Sequence, residues 1–201
     1  DYEGMAHYYD IFVEHGFGNY LDILKAVAMH PVMGVYLSHL GNQKANPALN
    51  LHPDENFARE IMQLFTIGLW EMETNGVRKT YPVGHPYAGQ FIPTYSNADI
   101  TELARVFTGL TWYDSIGFNP SNLTNGDRLH PMKIWDAYHD CEAKTLLGGL
   151  SLPARTASPG SERCTVASPV FASRSISNLP CARPFTCARP SASRQTNSST
   201  S

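Results

Sequence analysis

Two short segments place carboxylates and guanidiniums at helical spacing. Glu55, Arg59 and Glu60 fall within one stretch, and Glu102 and Arg105 are three positions apart in another. On a helix, side chains three or four apart are neighbours. Two such helices packed together would bring paired acids and cations across one interface. A carboxylate there can act as a general base or ligate a hard cation, with Arg59 and Arg105 holding an anion. The same residue types also make an interhelical ion-pair network that only fixes packing, and the residues alone leave both readings open. Asp136, His139 and Asp140 stand at i, i+3 and i+4. In a helix they share a face and suit a divalent ion; in an extended chain they diverge, and Asp140 caps a following element.

Other candidates carry less. His30 precedes Pro31 and His52 precedes Pro53; each is an imidazole base or a packed helix-end residue. Cys141 lies beside His139 and reads as an inert small residue, and the four cysteines show neither zinc-finger spacing nor a disulfide framework. Asn119, Asn122, Thr124, Asn125 and Asp127 offer the oxygens that Ca²⁺ takes. With Gly126 as position six, however, Ser121 and Leu123 fall at positions one and three, which fails the EF-hand pattern, and Asn125-Gly126 reads as a turn. There is no GxGxxG, P-loop, GxSxG, HExxH or CxxC, so no nucleotide cofactor is expected.

With carboxylates, imidazoles and guanidiniums alone, the best supported reaction is hydrolysis of a small ester or lactone. Glu55, Glu60, Glu102 and His139 are the catalytic candidates. Arg59 and Arg105 would bind the substrate, and Asp136 and Asp140 would hold Ca²⁺ or Mg²⁺. The competing expectation is a noncatalytic, exported binding or assembly protein that uses the loop at 71–95 as its contact surface.

The elements that must position these residues read as mainly helical, with little sheet. Leu21, Leu24 and Ala28 make one apolar face, Pro31 interrupts it, and a second short helix follows to Leu40. The clearest helix starts after Pro53-Asp54 and buries Phe57, Ile61, Leu64 and Phe65. Ser96 to Asp99 forms a capping box, with Asp in the Glu position, for a helix over about 97–108 that buries Ile100, Leu103, Ala104 and Phe107. Residues 71–95 lack periodicity, and a plain loop of that length is usually functional or mobile. Short strands are expected at Thr111–Tyr113 and Lys133–Tyr138, and a polar turn at His139–Gly149.

Composition divides the chain after residue 150. Residues 1–150 hold 17 acids against 9 Lys/Arg, a net of −8, and all eight histidines. Residues 151–201 hold six Arg, one Glu, 12 Ser and six Pro, and repeat Cys-Ala-Arg-Pro. So polar a segment does not offset its ordering entropy by burial. It is expected to be disordered, as a Ser/Pro linker or as out-of-frame translation. An acidic body does not suit nonspecific nucleic-acid binding, which needs clustered cations. No apolar run reaches the ~18 residues of a membrane span, and no signal peptide is apparent at the start. A small-molecule substrate, and self-association through exposed apolar surface, are the expected interactions.

Four segments carry a family resemblance. Asp54-Glu55-Asn56-Phe57-Ala58-Arg59-Glu60-Ile61-Met62-Gln63-Leu64-Phe65-Thr66-Ile67-Gly68 resembles the NENYARELMELFTLG signature of a large bacterial family, domain of unknown function 1800. Asp99 to Gly109 is similar to its DVRELARALTGW signature. His30-Pro31-Val32-Met33 with Tyr36-Leu37 resembles its HPAM…YL segment, and His139-Asp140 with Lys144 and Leu147-Gly148 its HD…K…LG segment. The resemblance spans about residues 20–149. It implies a mostly helical domain, present here in part, and often export from the cytoplasm; it supplies no reaction. The link at 71–93 is longer than the family's usual one.

Overall fold

The computed structural model describes residues 2–118, 126–157 and 164–166. Five α-helices come first: α1 (Tyr2–His15), α2 (Tyr20–Met29), α3 (Pro31–Tyr36), α4 (Asn56–Gln63) and α5 (Asn97–Val106). Short strands follow: β1 (Leu110–Thr111), β2 (Lys133–Ile134), β3 (Lys144–Leu146), β4 (Leu150–Leu152), β5 (Arg155–Ala157) and β6 (Cys164–Val166). They pair in sequence order as three two-stranded antiparallel sheets. The architecture is mixed, with helix outweighing strand, rather than helical throughout.

Asn19 caps α2 by accepting the Leu21 N–H at 2.9 Å. His30 precedes a proline, which drives it to an extended backbone (φ −78°, ψ 127°). The chain therefore breaks there, and Pro31 opens α3, where its missing N–H costs nothing. The Ser96–Asp99 capping box forms in both directions, as the sequence predicts. The first helix, α1, is an addition: the sequence reading assigns no element before Phe17.

Three apolar clusters hold these elements. The first joins Ile11, Val27, Ala28, Met33, Leu37 and Phe57 from α1 to α4. The second joins Leu40, Leu110, Trp112 and Met132. The third joins Ala58 and Met62 of α4 to Ile100 and Ala104 of α5. Phe107 packs against the first two and Ile61 against the first and third. Of the expected stripe on α4, Phe57 is buried and Ile61 and Phe65 pack against the first cluster. Met62 and Ala58 face inward with Phe57, while Leu64 is 71% exposed because the helix ends at Gln63 and the chain turns away.

Residues 69–94 form an arm rather than a structureless loop. Bridges join Trp70 to Pro93, Met72 to Arg78 and Thr80 to Phe91. Three of its segments close a ring of backbone bonds: Glu71 N–H to Ile92 O (2.9 Å), Ile92 N–H to Lys79 O (3.1 Å) and Lys79 N–H to Glu71 O (2.8 Å). Such pairing needs no hydrophobic periodicity, so nothing in the pattern announces it. On the arm, the Tyr81 and His85 rings stack at 4.2 Å and 5°, with Tyr87 within 6 Å of both.

The polar turn expected at His139–Gly149 contains β3, whose Lys144 pairs with Leu152 of β4. Lys133–Tyr138 is only half strand, with a 3₁₀ turn over Asp136–Tyr138. Most of the Ser/Pro-rich segment, and Asn119 to Asn125 of the oxygen-rich loop, lie outside the described residues.

Candidate functional site

Helix α5 and the segment at 139–145 bring four charged side chains together. Glu102 and Arg105, one turn apart on α5, face Asp140 and Lys144. Arg105 grips Asp140 as a fork, Nε to Oδ2 at 2.7 Å and Nη2 to Oδ1 at 3.0 Å. Its Nη1 donates to both oxygens of Glu102, at 2.8 and 2.9 Å. Lys144 Nζ adds a bond to Asp140 Oδ1 at 3.2 Å and others to the Asp140 and Glu142 carbonyls. The remaining acceptor positions are taken by backbone: Glu142 N–H donates to Asp140 Oδ1 and Thr145 N–H to Glu102 Oε2, both at 3.0 Å. Asp140 is 8% exposed and Lys144 6%.

The electrostatics follow from this closure. Burial works to raise the Asp140 carboxyl, but the Arg105 fork and the Lys144 charge hold it below its ordinary range. Glu102 behaves alike: burial is outweighed by Arg105 and by the Thr145 N–H. Arg105 is pushed up, chiefly by Asp140. Lys144 is pulled down by burial, against the opposing pull of Asp140. Two acids and two bases thus stay ionised and mutually satisfied, the condition under which buried charge is tolerated.

The other candidates separate into smaller groups. Glu55 bridges α4 to α5, accepting the Thr101 hydroxyl at 2.8 Å and Arg59 Nη2 at 3.1 Å. Glu60 stands apart, and its buried Oε2 has no partner. His139 Nδ1 donates to the Thr108 carbonyl at 2.8 Å, which leaves Nε2 as the lone-pair nitrogen of the neutral ring. Burial lowers the pKa of His139. Asp136, three residues earlier, is buried with an unpartnered Oδ2. Asp140 turns its carboxylate to Arg105, while the charges of both Asp136 and Asp140 act on His139. Among the described residues, no three His, Cys, Asp or Glu side chains are grouped to hold a metal ion. Asp127 closes a turn instead, bonding the Leu129 and His130 N–H groups and the His130 ring.

Several organising residues escape sequence reasoning. Asn42 is buried, accepts the Asp54 N–H at 2.8 Å and donates to the Phe107 carbonyl at 3.2 Å. It ties the start of α4 to the end of α5. Thr108 donates to the Arg105 carbonyl and accepts the Asp140 N–H, both at 2.8 Å. Gly109, at φ +77°, lets the chain cross Trp135 and His139 so closely that a Cβ would sit 2.8 Å from their backbone atoms. Their one signal is a polar residue beside a glycine, at 41–42 and 108–109. Cys141 corrects the reading of an inert residue: it is disulfide-bonded.

No helix among the described residues is long and apolar enough to cross a membrane. No curated protein and no solved structure matches the chain. A family model described as "Protein of unknown function (DUF1800)" matches residues 1–170. It reaches past the four resembling segments to take in α1 and the sheets after residue 149. The buried carboxylate–guanidinium network and both signature helices fall inside that match, and the chain belongs to this family.

Proposed function

We propose that this chain is an exported binding module whose contact surface is the arm at 69–94, and that its charged network is a structural clasp. The carrying observation is a division of labour. The carboxylates and guanidiniums of the clasp are occupied by one another, while the arm holds its aromatic rings out on a hydrogen-bonded frame. Tyr87, Phe91, Met72 and Val83 are exposed there, and exposed aromatics are the residue types that anchor interfaces. Glu71 and Glu73 balance Arg78 and Lys79, so the arm is neutral and suits an uncharged partner. Stacked rings fit an extended, proline-containing peptide, whose preformed geometry docks on aromatic surfaces. The disulfide at Cys141 supports an oxidising compartment, and with it export.

The test pans a random peptide library against the full chain and against a variant with Tyr81, His85 and Tyr87 all changed to Ser. Peptides rich in proline that bind the first and not the second are expected. Binders indifferent to those substitutions would remove the arm from consideration.

A second reading has its own observation. His139 offers Nε2 as a base, and Asp136 has a buried oxygen without a partner. In a hydrolase of small esters or lactones, this pair would activate water, aided by Ca²⁺ or Mg²⁺. Turnover on an ester and lactone panel that EDTA removes, Ca²⁺ restores and His139→Gln abolishes would favour it. A silent panel with folded protein leaves the binding reading.

A further inference from the structure

Helix α1 meets the corner between α2 and α3 through two imidazoles. His7 Nδ1 lies 3.1 Å from His30 Nε2. The rings stack at 5.4 Å, and Tyr8 sits edge-on to His30 at 5.2 Å. His7 is exposed and His30 is 4% exposed.

The backbone fixes which nitrogen carries each proton. Val32 N–H donates to His30 Nδ1 at 3.2 Å, capping α3. That nitrogen is therefore a lone pair, and neutral His30 keeps its proton on Nε2. His30 Nε2–H is then the donor toward His7, His7 Nδ1 is the acceptor, and neutral His7 keeps its own proton on Nε2. The same logic argues against a metal between the rings. A metal on His30 Nε2 would require the proton on Nδ1, against the Val32 N–H.

We propose that the His7–His30 contact is a proton-operated latch, holding α1 on the α2–α3 corner while His7 Nδ1 is a lone pair and releasing it when that nitrogen takes a proton. The proton comes from solvent and forms an N–H on His7 Nδ1. Two N–H groups then face each other, and the hydrogen bond is lost. His30 cannot adapt by shifting its proton to Nδ1 without losing the cap on α3. Burial, and then His7, push His30 down to about 4, so it stays neutral while the latch works.

The groups around the pair come from several elements. On α1, Glu3 and Asp10 lie one turn either side of His7, and Tyr8 is edge-on to His30. Arg128 packs against Gly4, one turn before His7. On α2, Asp22 and Lys25 pair with each other at 3.6 Å and are mostly exposed. Tyr20 of α2 and Tyr36 of α3 are the other titratable groups on these two helices. The acids and Arg128 are opposite in charge, and the latch opens when His7 Nδ1 takes its proton. What it frees is a helix whose outer flank already exposes Tyr2, Met5, Tyr9 and Val13.

The test is hydrogen exchange of the full chain at pH 7.5 and 5.5, corrected for intrinsic rates. Protection of α1 relative to α5 should fall about fivefold at the lower pH, the worth of one net hydrogen bond. His7→Asn keeps an acceptor near the Nδ1 position without a titrating ring, and its α1 protection should not depend on pH. Nitrogen NMR of the rings at pH 7.5 should find His30 protonated on Nε2. Three results would each overturn the latch: His30 protonated on Nδ1, unchanged α1 protection in the wild type, or Zn²⁺ binding that shifts both rings.

Discussion

The clasp on α5 and the arm at 69–94 are opposite uses of polar chemistry in one chain. The clasp buries Asp140 and Lys144, half-buries Arg105 and Glu102, and leaves no oxygen of Asp140 or Glu102 without a donor. The arm buries little, satisfies its backbone internally and turns its rings to solvent. A buried, saturated network has nothing left to offer a substrate and much to lose when broken. An exposed frame of bridges has little stability to lose and a surface to offer. Stability and recognition are thus assigned to different segments, and substitutions should separate them.

The largest effect is expected at Arg105. Arg105→Ala strands Asp140 and Glu102 beside a desolvated Lys144. Breaking a buried pair from one side costs about 3–5 kcal/mol, and Tm should fall by roughly ten degrees in a circular dichroism melt. Unchanged Tm with lost ligand binding or turnover would make Arg105 a functional group, and the comparison would fail.

The clasp also sets the acid limit. Asp140 is held below its ordinary range in the fold. Its contribution is therefore full above the unfolded value near ~3.9 and is lost as pH falls through the lower folded value. Asp140→Asn should lower stability at neutral pH and flatten the loss of stability below about pH 4. Urea midpoints between pH 3 and 7 measure this; parallel curves for the two proteins would show that Asp140 does not drive it.

Much of the scaffold was legible in the sequence, and the reasons are local. The Ser96 cap, the break at Pro31 and the apolar faces of α4 and α5 depend on neighbours within a few residues. The pairing of Glu102 with Arg105 was legible for the same reason. The meeting of Arg105 with Asp140 was not: 35 residues separate them, and Asp140 looked equally fit for a cap or a metal. The family segments grouped His139-Asp140 with Lys144 but did not place them against α5. Helix α1 was missed because its exposed flank carries Tyr2, Met5, Tyr9 and Val13, which blurs the two-faced pattern of a surface helix. The arm was missed because isolated bridges leave no period.

A middle-sized effect is expected at Cys141. Arg155 N–H donates to the Cys141 carbonyl at 2.7 Å, so this residue lies where the chain passes from the clasp toward β5. Cys141→Ser removes the disulfide and should cost about 2–4 kcal/mol. Reductant should lower the Tm of the wild type by a similar amount and leave the variant unchanged. A wild type indifferent to reductant would mean that the bond adds nothing to the fold.

The smallest effect on stability should come from the arm. Tyr87 is 56% exposed, and surface substitutions away from caps and cores usually stay within about 0.5 kcal/mol. Tyr87→Ser should therefore shift Tm by no more than roughly two degrees. Peptide affinity is a separate quantity: removing one exposed aromatic anchor typically costs about 2 kcal/mol of binding, a loss of roughly thirtyfold. Calorimetric titration with a selected peptide, beside a melt of the same sample, reads both numbers. Lost affinity at constant Tm keeps recognition on the arm and stability on the clasp. A large fall in Tm would mean that the ring cluster braces the arm's backbone, and the two regions would then differ in degree of burial rather than in kind.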